Sequence, residues 1–206
     1  MKKILCYGDS NTFGFNPKDG SRFDENSRWS GILKNNFFEE FDVIEQGLNN
    51  RAGFVDNPCG DEFCALKHFP EFFKNIDEVE IIVLAIGTND LQFAFDIDEL
   101  TIENGLKLLV RLIKEKNAKV ILIPPVVLDE RILNGYFSVQ FNKESILKSK
   151  NISKIYKKIA QEFNCYYFDF NEFVIPSNFD GLHYDKNAHE IIAQKLTLFI
   201  KENNLA

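Results

Sequence analysis

The stretch Ile81-Ile82-Val83-Leu84-Ala85-Ile86-Gly87-Thr88-Asn89-Asp90 decides the fold class. Its first six residues are apolar without a break, short as a run and rich in β-branched side chains. Such a run marks a strand buried on both faces of a parallel sheet. Gly87 closes it, and Thr88-Asn89-Asp90 reads as a polar turn. Working outward, the same pattern recurs. Upstream lie Lys2–Tyr7, ending at Gly8, and Val43-Ile44-Glu45-Gln46, ending at Gly47. Downstream lie Val120-Ile121-Leu122-Ile123, stopped by Pro124-Pro125, and Cys165–Phe168. Helical spacing fills the intervals: Trp29–Phe41, Glu62–Asn75 interrupted by Pro70, Asp98–Asn117, Ile146–Phe163 and Lys186–Glu202. In the third of these, Leu106, Leu109, Val110 and Ile113 form one apolar stripe. Five strands, each followed by a helix, give an α/β fold with a mainly parallel sheet. No repeat, low-complexity tract or second hydrophobic unit interrupts the alternation, so residues 1–206 read as one domain.

The bulk properties narrow the function. Apolar residues make up 45% of the chain and charged residues 27%, the balance of a soluble globular protein. The 21 Phe residues are expected mostly in the core, because aromatic side chains bury large areas. A net charge of -7 leaves no basic excess for phosphates, so nucleic acid is not an expected partner. The Lys-rich stretch from Lys143 to Lys158 reads as the polar face of a helix. The apolar run after Met1 is too short for a secretory segment. No run approaches the roughly 18 apolar residues that span a bilayer. The expected setting is cytoplasmic, without a membrane partner. A disulfide framework among Cys6, Cys59, Cys64 and Cys165 is not expected there.

In open α/β sheets, ligands gather at the carboxyl ends of the strands. The segments after the strands are Gly8-Asp9-Ser10-Asn11, Gly47-Leu48-Asn49-Asn50-Arg51-Ala52-Gly53, Gly87-Thr88-Asn89-Asp90 and Asp180-Gly181-Leu182-His183. One sheet edge therefore collects a hydroxyl, two polar turns and an Asp/His pair. That is the inventory for acyl transfer: a nucleophile, a base with an orienting acid, and donors for an oxyanion. No zinc motif, phosphate-binding loop, dinucleotide fingerprint or Gly-x-Ser-x-Gly elbow is present.

Three of these blocks also resemble a family. Gly8-Asp9-Ser10-Asn11, Gly87-Thr88-Asn89-Asp90 and Asp180-Gly181-Leu182-His183 are similar, in order and across nearly the whole chain, to the blocks of the SGNH (GDSL-type) hydrolases. Ile4–Phe15, Arg28-Trp29-Ser30-Gly31 and Val43–Arg51 resemble its arylesterase/acyltransferase branch. The resemblance implies a flavodoxin-like three-layer α/β/α sandwich with a five-stranded parallel sheet. It also implies a serine esterase acting on carboxylic (acyl or acetyl) esters through an acyl-enzyme, without metal or organic cofactor. An acyltransferase or carbohydrate deacetylase would use the same residues. A non-catalytic α/β binding module would keep the turns but not the reactivity.

Taken alone, Ser10 reads as a helix N-cap. Asp180 and His183 on the same edge turn it toward a nucleophile, with His183 as base and Asp180 orienting it. Asn89 reads either as a turn residue or, from the resemblance, as an oxyanion donor. The family's second block usually carries a glycine whose N–H faces the oxyanion. The matching position here is Asn50, with Gly47 the fallback. Asp9 and Asn11 flank Ser10 and are candidate substrate contacts, although Asp9, like Asp90, also reads as a carboxylate holding backbone N–H groups in a tight turn. Trp29, Phe93 and Val126 are candidate pocket residues, each equally readable as packing. Candidate loops are Asn16–Ser27, Asn50–Gly60 and Val126–Ser145. The last, with Tyr136, Phe137 and Phe141, reads as a cap over the site or as a contact in a homo-oligomer.

Overall fold

The computed structural model describes residues 1–205. Five parallel strands form one sheet: β1 (Lys2–Gly8), β2 (Phe41–Gly47), β3 (Val79–Ala85), β4 (Lys119–Ile123) and β5 (Tyr166–Tyr167). Their order is β2-β1-β3-β4-β5, the flavodoxin-like order. The order reverses between β1 and β3, so a crevice opens at their carboxyl ends. The middle strands carry the core. Ile4–Tyr7, Ile81–Leu84 and Val120–Leu122 are fully buried, as their unbroken apolar runs require. Each such side chain contributes about 1.5–3 kcal/mol on leaving water.

Six helices cover the sheet: α1 (Ser10–Phe13), α2 (Trp29–Asn36), α3 (Ala65–Lys74), α4 (Glu99–Lys114), α5 (Lys143–Glu162) and α6 (Lys186–Glu202). α2 packs on α6, while α4 packs on both α3 and α5. These two groups make the outer layers of a three-layer sandwich. The stripe predicted for α4 is buried at Leu106, Leu109, Val110 and Ile113.

Several boundaries differ from the sequence expectation, each for a local reason. α2 stops at Asn36 rather than Phe41, because Phe41 is already strand and pairs with Lys2. α3 runs through Pro70, which sits on its exposed face. α5 begins at Lys143 through a capping box in which Asn142 and Ser145 satisfy each other's backbone N–H groups. β5 keeps only two residues, since it is an edge strand paired solely with β4. The short α1 is absent from the periodicity, because four residues carry none.

Gly47 explains how α1 sits on the sheet. It ends β2 opposite Gly8. A Cβ on Gly47 would overlap the backbone nitrogen of Phe13, so the helix after β1 rests directly on the strand. Gly47→Ala is expected to lower stability by about 2–3 kcal/mol through overpacking. The measurement is a urea melt, with a lower midpoint at unchanged slope.

Candidate active site

The first edge of the site is built by the turn after β1. Asp9 is extended (φ −95°) and caps α1, its Oδ1 accepting from Asn11 N at 2.9 Å. The cap role that Ser10 could have filled thus belongs to Asp9, and Ser10 becomes the first helical residue. Its N–H falls among the helix-start amides that lack an intrahelical acceptor. Burial pushes the Asp9 carboxyl up, and hydrogen bonds from Thr88 and the Asn11 amide offset only part of that rise.

The second edge is the Asp180–His183 turn. Asp180 Oδ1 accepts from Leu182 N and His183 N, both at 3.0 Å, and from Ser177 Oγ at 3.1 Å. Its Oδ2 lies 2.7 Å from His183 Nδ1. His183 Nε2 lies 2.9 Å from Ser10 Oγ. A carboxylate only accepts, so Nδ1 carries the proton and Nε2 accepts from the Ser10 hydroxyl. Burial raises the Asp180 carboxyl, but the His183 side chain and the turn's backbone N–H groups outweigh it and hold it below its ordinary value. Phe15 and Phe137 flank the imidazole, with ring centroids 4.3 and 5.2 Å away. Gly181, at φ 69°, accepts from Asp129 N, so the Val126–Ser145 segment braces this turn.

Asn11 joins the two edges. Its Nδ2 donates to Leu182 O at 3.3 Å and its Oδ1 accepts from Tyr184 N at 3.0 Å. One side chain therefore grips the backbone on both sides of His183.

The third edge combines the turns after β2 and β3. Asn50 has φ 62°, in the left-handed region where Asn is tolerated better than most side chains. Asn89 Nδ2 donates to Arg51 O at 3.0 Å. Gln92 Nε2 donates to Asn50 Oδ1 at 3.0 Å and to Asn89 Oδ1 at 3.1 Å. The buried Asp90 accepts from Gly53 N and Phe54 N, at 2.6 and 2.7 Å, which ties the two turns together. Burial drives its carboxyl up to about 6 despite these bonds. Arg51, also buried, donates to Gly8 O and Gln46 O and lies over the Tyr7 ring. It thereby pins the ends of β1 and β2.

Ser10, His183, Asn50 and Asn89 line one cleft of about 120 Å³. Phe15, Phe137 and Leu182 supply apolar walls, and Asn49 and Gln140 supply polar ones. Gly47 is not on the cleft; it lies in the sheet under Phe13. The proposed substrate contacts need correction. Trp29 is fully buried, its Nε1 donating to Asn11 O at 2.9 Å, and Val126 is buried in the core. Phe93 is exposed but borders a neighbouring groove with Asp96 and Lys148. The side chains of Asp9 and Asn11 are occupied by backbone groups and not free for a substrate. Sequence reasoning missed Phe15, Asn49 and Gln140 as cleft residues. Nothing local distinguishes them from loop or packing residues, although Phe137 lay in the suspected cap.

The sequence pattern of the GDSL-like lipase/acylhydrolase family matches residues 6–191. No curated protein matches the chain. Among solved structures, an aryl esterase of M. smegmatis is 25% identical, with a TM-score of 0.90 over 98% of this chain and 99% of that one. A carbohydrate acetylesterase family member from Sinorhizobium meliloti is 23% identical, with a TM-score of 0.89 over 98% of each chain. A lipase/acylhydrolase from Enterococcus faecalis is 22% identical, with a TM-score of 0.71 over 98% of this chain and 97% of that one. Among the described residues, no helix is long and apolar enough to cross a membrane.

Asn11→Ala leaves two buried backbone groups without partners, a cost of about 1–3 kcal/mol each. A urea melt should show that loss. Turnover should fall as well, because His183 loses the bonds that hold its segment against Ser10. Retention of both stability and turnover would show that the clasp is dispensable.

Proposed function

This chain belongs to the GDSL-like lipase/acylhydrolase family and is a carboxylic ester hydrolase, and we propose that it works through a Ser10–His183–Asp180 triad and an acyl-enzyme. The observation that carries the proposal is the unbroken chain from Ser10 Oγ to His183 Nε2 and from His183 Nδ1 to Asp180 Oδ2, at 2.9 and 2.7 Å.

Each step follows from those contacts. His183 Nε2 takes the hydroxyl proton as Ser10 Oγ bonds to the ester carbonyl carbon, and the carbonyl π pair moves onto oxygen. Asp180 holds the imidazole in the required tautomer and stabilises the imidazolium. The backbone N–H groups of Ser10 and Asn50 and the Asn89 amide are the proposed oxyanion donors. A single such donor is worth about 3–4 kcal/mol in the transition state. When the carbonyl re-forms, the alkoxide leaves with the proton from Nε2. Water then repeats the sequence on the acyl-enzyme, releasing the acid and restoring Ser10. Replacing water by another alcohol gives acyl transfer with the same groups.

The small cleft supports a short acyl group. Its mixed aromatic and amide lining supports either an aryl or a sugar alcohol, the alcohol classes of the aryl esterase and the carbohydrate acetylesterase it resembles in structure. A panel of acetyl to octanoyl aryl esters, together with acetylated sugars, separates these choices.

Ser10→Ala should lower turnover by several orders of magnitude and abolish labelling by a fluorophosphonate. Near-wild-type esterase activity in that variant would remove Ser10 from the mechanism. A histidine base must be neutral to accept a proton, so kcat/KM should fall on acidification. Asp180, held below the ordinary carboxylate range, stays ionised over the same interval. A pH profile that stayed flat down to about pH 4 would be incompatible with a histidine base.

A further inference from the structure

We propose that Gln92 is a positioning residue that presets the two side-chain-anchored oxyanion donors of this site; the proposal rests on the assignment of Asn50 and Asn89 above. Gln92 is buried and does not line the cleft, so it acts only through other residues. Both hydrogens of its amide are used, one on Asn50 Oδ1 and one on Asn89 Oδ1.

The polarity of this relay is set by a group that cannot rotate. The Arg51 carbonyl accepts from Asn89 Nδ2. Were the Asn89 amide turned over, its oxygen would face that carbonyl, with no proton between two acceptors. Asn89 must therefore present its nitrogen to Arg51 and its oxygen to Gln92. Gln92 must in turn present its NH2, and Asn50 must answer with oxygen. One backbone carbonyl thus orders three side-chain amides. The second hydrogen of Asn89 Nδ2 is left without a protein acceptor and serves the oxyanion.

The relay also accounts for Asn50 where the family usually has glycine. Glycine enters the left-handed region freely, whereas Asn does so at some cost. The bond from Gln92 to Asn50 Oδ1 anchors the residue there, with Asn50 Nδ2 on Cys59 Sγ at 3.4 Å on the other side. Preorganised donors of this kind act because they need not reorient as charge develops.

The test uses the whole protein with p-nitrophenyl acetate. Gln92→Met keeps the side-chain bulk and removes both donors; Gln92→Glu keeps the shape and replaces the donors with acceptors. Either should lower kcat by about 10–100-fold, the scale of a misplaced or lost donor, with KM changed by less than about twofold. In an Asn89→Ala background, the share of the Gln92→Met effect carried through Asn89 should vanish, leaving a smaller loss carried through Asn50. Unchanged kcat, a loss confined to KM, or the same fold loss in the Asn89→Ala background would overturn the proposal. If the Met variant does not fold, the Glu variant is read by the same criteria. Fluorophosphonate labelling separates the two levels. A wild-type Ser10 that resists labelling defeats the triad reading, whereas a labelled Ser10 with full turnover in Gln92→Met defeats the relay alone.

Discussion

The active edge of this protein depends on one side chain spanning its two ends. Asn11, immediately after Ser10, holds the backbone at Leu182 and Tyr184. The Ser10–His183 contact joins residues 173 positions apart, and a loose segment would not keep that geometry. A hydrogen bond of 2.9 Å tolerates little displacement. The clasp works because both groups it satisfies are buried backbone groups, which are costly to leave unpaired. Trp29 adds a second constraint by donating to Asn11 O, so the core layer under α2 reaches the site through one indole N–H.

The same logic governs the buried carboxylates. Asp9, Asp90 and Asp180 are all buried, yet each meets a different environment. Asp9 caps α1, Asp90 holds the Gly53–Phe54 turn, and Asp180 receives His183. Burial raises all three carboxyls, but only at Asp180 do the opposing bonds win. The carboxylate facing the imidazole is thereby the one whose ionised form the fold favours. Arg51 supplies a buried positive charge nearby and links the ends of β1 and β2 without itself entering the cleft.

The cleft is small because several loops close on it from different strands. Phe15 comes from the loop after α1, Phe137 from the long segment after β4, and Asn50 from the turn after β2. The Phe15 and Phe137 rings stand against His183 and limit access to its face. The polar Asn49 and Gln140 border the remaining wall beside Ser10.

Much of this was legible in the sequence, and the division has a physical basis. Strands such as Ile81–Leu84 announce themselves because a buried parallel strand must be apolar on both faces. The segments holding Ser10, Asn50, Asn89 and His183 follow from chain order alone, since each is a short run after a strand or before the last helix. What chain order could not decide is which neighbours face the cleft. Trp29 and Val126 were equally plausible as walls or as packing, and burial made them packing. Asn11 looked like a substrate contact and became a clasp; Gln92 carried no local mark and became the joint between two turns. Those roles are set by partners tens to hundreds of residues away. Only the tertiary structure brings such partners within hydrogen-bond reach, and a local sequence pattern contains no record of them.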